Sequence, residues 1–129
     1  MENCSPSRPV PVMIIYGTED PAFPPEGSPQ RGILSRVSYD RMHPHDVLNS
    51  WLRIHGFPHD SVRTSKRGGV TFTSYKGENN SEVLFCVVEG MGHTWPDGKQ
   101  YFFARVIGRV THELSMEDIW AFFQEHPMG

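Results

Sequence analysis

The run Glu82-Val83-Leu84-Phe85-Cys86-Val87-Val88 passes directly into Gly90-Met91-Gly92-His93-Thr94-Trp95-Pro96, and this junction sets what the chain can become. The run is apolar and rich in β-branched residues, the composition of a strand buried on both faces, which demands a covering layer on each side of a sheet. Glycines 90 and 92 let the backbone leave that sheet with positive φ and keep bulk away from the imidazole that follows. An isolated Gly-x-Gly-His is as often a loop histidine at a sheet edge as a reactive group, so its context decides.

A second apolar run, Val12-Met13-Ile14-Ile15-Tyr16, follows Pro9-Val10-Pro11 and is closed by Gly17-Thr18-Glu19-Asp20-Pro21. Asp20 thus stands at the carboxyl end of a predicted strand, where open α/β sheets keep their ligands. On its own it is equally a turn aspartate bonding its own backbone ahead of proline. A helical crossover between the two runs makes the strands parallel and close neighbours, which brings Asp20 and His93 to one end of the sheet.

Between the runs, Pro44 suits the first turn of a helix, Asp46 its positive end, and Val47, Leu48, Trp51, Leu52 and His55 share one face before Gly56. The connection from Ala22 to Ser38 holds Pro24, Pro25 and Pro29, and is long enough to fold over a site. Val70 to Tyr75 alternates, turns through Lys76-Gly77-Glu78-Asn79-Asn80 and returns as the strand leading to His93, a hairpin by pattern. The stretch from Pro96 to Glu113 is expected to be irregular. Ser115-Met116-Glu117-Asp118 then opens a helix, with Leu114 and Ile119 as a staple, and Ile119, Trp120, Phe122 and Phe123 as an aromatic face for a sheet to cover. The expected fold is α/β, with about three strands and two main helices behind an irregular leader over residues 1–8.

The 129 residues amount to one domain at most. A net charge of -3 offers no basic field for nucleic acid, and Arg63, Lys66 and Arg67 are expected in a solvated loop. The apolar runs are far short of a membrane span, and no basic-then-apolar signal segment follows Met1. Arg67-Gly68-Gly69 lacks the lysine and spacing of a phosphate loop. His43, His45, His55 and His59 invite a zinc reading, but Pro44 and Pro58 interrupt the spacing, so no metal or other cofactor is expected. Cys4 lies in the leader and Cys86 in mid-strand, where a buried thiol is favoured over a Cys4–Cys86 bridge.

The segments Pro9 to Pro21 and Gly92-His93-Thr94-Trp95-Pro96, with the Ile-Trp-x-Phe-Phe pattern at 119–123, resemble the carboxyl-terminal part of the polyhydroxybutyrate depolymerase and feruloyl esterase family of α/β hydrolases. The resemblance runs from about Pro9 to Pro127. It implies that residues 9–129 are the last, incomplete portion of a hydrolase sheet, with Asp20 as acid and His93 as base of a Ser-Asp-His triad, and Trp95 as an aromatic wall for substrate. The implied substrate is a polyester or a plant polysaccharide ester, and the implied location of the family is secreted or periplasmic. This sequence departs from the pattern at Tyr16, where histidine is frequent, and at Met91 and Asp97, where glycine is frequent. It also contains no Gly-x-Ser-x-Gly; Glu26-Gly27-Ser28-Pro29 comes nearest and lacks the second glycine. The resemblance therefore implies that a complementing amino-terminal segment supplies the serine and oxyanion hole. The alternative expectation is an idle fragment, pseudoenzyme or interaction subunit.

Overall fold

In the computed structural model, which describes residues 4–23, 42–57, 62–77 and 79–127, the two apolar runs are neighbouring parallel strands. β1 (Val12–Gly17) pairs with β4 (Glu82–Val88) in a register that sets Val12 opposite Val83 and Gly17 opposite Val88. Both strands therefore end level, and the turns that follow them emerge side by side. β3 (Val70–Lys76) runs antiparallel to β4, completing the expected hairpin, and β2 (Val62–Arg67) runs antiparallel to β3. The result is a mixed four-stranded sheet of order β1-β4-β3-β2.

β2 corrects the sequence expectation, since Arg63, Lys66 and Arg67 stand in an edge strand and not in a loop. All six of its residues are exposed, so the strand has no buried face and hence no alternation to betray it. Arg67 pairs with Val70, which leaves Gly68-Gly69 as a two-residue hairpin turn, the one local signal that two strands meet there.

One sheet face is covered by α1 (Pro44–His55), whose Leu48 and Leu52 pack with Tyr16, Val83, Phe85 and Phe57. Its extent is as predicted: proline occupies the first turn, and Gly56 ends it in the left-handed conformation at φ 63°. The amino-terminal cap is unusual, because His43 Nδ1 accepts from the His45 N–H at 3.3 Å where a short oxygen side chain is the rule. Beneath the other face, Val70, Cys86, Val88, Met91 and Leu114 form a second cluster, with Met13, Ile15, Phe72 and Leu84 half-buried against it. β1 is consequently apolar on both faces although it lies at the edge of the sheet.

α3 (Met116–Glu125) starts as predicted, with a reciprocal cap in which the Ser115 hydroxyl accepts from the Asp118 N–H and the Asp118 carboxylate accepts from the Ser115 N–H. Its aromatic stripe is split: Ile119 and Phe122 are buried, while Trp120 and Phe123 remain 63% and 54% exposed. The stretch expected to be irregular contains a one-turn helix, α2 (Ala104–Ile107), whose buried Ile107 anchors it beside the His93 turn. Both cysteines are free thiols, Cys4 exposed and Cys86 buried. The expected loop over the site falls, from Pro24 onward, outside the described residues. No helix among the described residues is long and apolar enough to cross a membrane.

Candidate active site

The turns after β1 and β4 are laced together by main-chain bonds. Thr18 N–H donates to the Val88 carbonyl at 3.0 Å and Glu19 N–H to the Met91 carbonyl at 3.0 Å, while the Thr18 hydroxyl accepts from Gly90 N–H at 2.9 Å. This lacing needs a residue without a side chain at position 17, since a Cβ there would sit 2.2 Å from the Met91 carbonyl oxygen. On the far side, Gly92 N–H donates to Arg109 O at 2.9 Å and His93 N–H to Ile107 O, so the histidine is held from both directions.

Asp20 and His93, 73 positions apart, meet at 2.9 Å between Oδ2 and Nδ1. Asp20 Oδ1 accepts the Ala22 N–H at 2.8 Å, so the turn-forming and the histidine-orienting uses of this carboxylate coexist, one oxygen for each. The carboxylate is buried, at 9% side-chain exposure, whereas the imidazole is open at 52%. A carboxylate accepts, so Nδ1 donates in this bond and Nε2 is left on the opposite side of the ring, facing away from Asp20. Among the described residues, no serine hydroxyl bonds His93.

The ring lines a cleft of about 400 Å³ together with Asp20, Tyr16, Phe23, Trp95 and Tyr101. Tyr101 donates its hydroxyl to the His93 carbonyl at 3.0 Å. Trp95 is 57% exposed, and its indole N–H points to Met116 Sδ at 3.0 Å, tying the cleft wall to the start of α3. Tyr16 donates to the Phe23 carbonyl at 2.8 Å, and burial, then the neighbouring Asp20 charge, push its phenol above the usual range. Among the described residues the cleft is thus lined by several aromatic rings and the Nε2 edge of one imidazole, with no lysine or arginine, an arrangement suited to exchanging a proton with a polar group beside an apolar substrate.

Two further histidine–carboxylate contacts escape the sequence. His112 Nδ1 lies 2.7 Å from Asp97 Oδ1 on the surface, and His126 Nε2 lies 2.9 Å from Glu82 Oε2 in a buried setting. Both join residues without a motif around them, so nothing in the sequence pairs them. Asp97 also has a φ of 56°, in the left-handed region that favours glycine. The helix histidines make ring contacts: His43 stacks on His45 with centroids 5.3 Å apart, and His55 lies 4.8 Å from Phe57. His59 is outside the described residues.

Among curated proteins, the chain is similar to "Putative esterase NocK" of Nocardia uniformis subsp. tsuyamanensis, with 27% identity over 125 residues. The match covers 88% of this chain and 36% of that protein, so the chain spans about a third of its relative's length. No family model matches the chain, and no solved structure does. The relationship is distant and of esterase type.

Proposed function

We propose that this chain carries the acid and the base of a serine carboxylic-ester hydrolase, as the carboxyl-terminal portion of an α/β-hydrolase fold spanning residues 9–129. The observation that supports this most is the Asp20–His93 contact at the level carboxyl ends of two adjacent parallel strands, with the imidazole on the wall of a cleft. The esterase-type relative, longer than this chain, is in keeping with it.

In the mechanism that follows, His93 Nε2 takes the proton of a serine hydroxyl as that oxygen attacks the ester carbonyl, and then returns it to the leaving alcohol. Asp20 holds the tautomer and stabilises the imidazolium that forms between the two steps. Trp95 and Tyr101 flank the acyl or aryl group. The serine and its oxyanion-hole donors come from a complementing segment, and β1, apolar on both faces at the sheet edge, offers that segment a strand to pair with. The substrates proposed are those of polyhydroxyalkanoate depolymerases and of feruloyl or acetyl esterases.

The test is hydrolysis of a nitrophenyl butyrate. The 129-residue chain alone should leave the ester near its uncatalysed rate. Supplying the serine-bearing segment, in cis or as a separate fragment, should produce turnover that His93→Ala lowers by on the order of a millionfold. Turnover that survives His93→Ala would belong to another site and end the proposal.

A further inference from the structure

A second cluster of reactive groups lies at the opposite end of β4. One ligand atom from each of Glu82, Glu125 and His126 falls within 4.8 Å of the other two. Glu82 and His126 are buried, at 6% and 3% side-chain exposure, and Glu125 is exposed at the rim. We propose that these three residues form a binding site for a divalent transition-metal ion of the zinc type. It is independent of the ester-hydrolase reading, because the length of β4 sets it roughly 20 Å from His93.

The surroundings of the two buried groups are those that orient metal ligands. His126 Nδ1 donates to the Asn80 carbonyl at 2.9 Å, which fixes the ring and turns Nε2 toward Glu82 and Glu125. The Ser74 hydroxyl donates to Glu82 Oε1, which leaves Oε2 facing Nε2 at 2.9 Å. A backbone carbonyl behind the histidine and a hydroxyl behind the carboxylate are the outer partners that set ligand direction and basicity. Asn80 also donates through Nδ2 to the Glu125 carbonyl at 2.9 Å, fixing the main chain that carries the third ligand.

The ion has a route in, since Glu82 and Glu125 both line a cleft of about 370 Å³ between the sheet and α3. Two carboxylates and one neutral imidazole balance a doubly charged ion, and the nitrogen ligand favours zinc over calcium or magnesium, which take oxygen. Binding replaces the proton between Nε2 and Oε2, which leaves to solvent, and widens that gap from 2.9 Å to the roughly 3.4 Å that tetrahedral zinc requires. The Lys76 ammonium, 3.8 Å from Oε2 on a side chain that is 61% exposed, turns outward at the same time. Water completes the coordination, and the ion clasps the end of α3 to the start of β4.

The measurement is calorimetric titration of zinc chloride into the chelator-treated full chain, with cobalt substitution as a spectroscopic check on tetrahedral nitrogen and oxygen ligation. Glu125→Gln is the discriminating variant, because it removes the third ligand and leaves the His126–Glu82 pair and its supporting bonds in place. The expected result is one tight equivalent in the wild-type chain, weakened in Glu125→Gln by more than the roughly ten- to hundredfold typical of an outer-shell change. The metal-free thermal midpoint should be the same in both chains, and zinc should raise it only in the wild type. Saturable binding that Glu125→Gln leaves unchanged, or no binding at zinc concentrations far above that of the protein, overturns the site.

Discussion

Gly92 and Gly108 pass main chain against main chain: a methyl group on Gly92 would lie 2.4 Å from the Gly108 Cα and 2.3 Å from the Ile107 carbonyl oxygen. Backbone cannot swing aside as a side chain can. Gly92→Ala should therefore destabilise the fold by more than about 3 kcal/mol, at the severe end of overpacking. Gly90→Ala, with φ at 74° but open space around it, should cost only about 1–2 kcal/mol. Urea unfolding of the two variants checks the ranking, and equal losses would mean that the contact at Gly92 is relieved at little cost.

Asp20 can be tested apart from the histidine it holds. In the complemented hydrolase, Asp20→Asn should leave KM near its original value and lower kcat by on the order of ten-thousandfold, because an amide stabilises the wrong tautomer. The residual rate should exceed that of His93→Ala. A loss confined to KM would instead give Asp20 a part in binding substrate.

Cys86 is pushed up to about 12, by burial first and then by the Asp118 and Glu82 charges. In the native chain at pH 8, a thiol reagent should titrate Cys4 alone, and both thiols in denaturant. The raised value also has a sign for stability. Between about 9 and 12 the unfolded thiol loses its proton while the folded one keeps it, so this contribution is complete below 9 and is lost as pH rises. Cys86→Ala should remove that alkaline slope while lowering stability throughout.

Asp118 shows the opposite linkage. Burial alone raises its carboxyl, but the Arg67 hydrogen bond, at 2.6 Å, and the Ser115 N–H and hydroxyl outweigh burial and hold it below the usual carboxylate range. Its contribution is therefore present above about pH 4 and is lost as pH falls through the lowered folded value. Ser115→Ala should cost about 1 kcal/mol by removing the cap, and Asp118→Asn should flatten the acid limb of a pH–stability curve. An unchanged acid limb would mean that Asp118 is equally stabilised in the unfolded chain.

The sequence made legible whatever its local pattern repeats. The apolar runs at 12–16 and 82–88, the helix between Pro44 and Gly56, and the Ser115 cap each announce themselves within a few residues, and strand adjacency then brings Asp20 to His93. Strand β2 was hidden because a fully exposed edge strand buries nothing, and its three cations look like a solvated loop. Trp120 and Phe123 mislead for the reverse reason: they are apolar enough for a core, yet only Ile119 and Phe122 of that stripe are buried in this chain. The Glu82–His126 pair was invisible because one partner closes the last helix and the other opens a strand, 44 positions apart, and only the tertiary fold makes them neighbours.

The two edges of the sheet differ in what they can recruit. β2 ends it in Arg63, Lys66 and Arg67, charges that repel a second copy of the same strand, whereas β1 carries no charge from Val12 to Gly17. Recruitment through hydrogen-bonded strands is then one-sided. A single strand laid along β1 saturates its outward N–H and C=O groups without meeting a charge, whereas among the described strands the other edge, β2, presents three cations to any newcomer. Like-with-like pairing through β2 is thereby disfavoured, and growth of the sheet is directed to its β1 side.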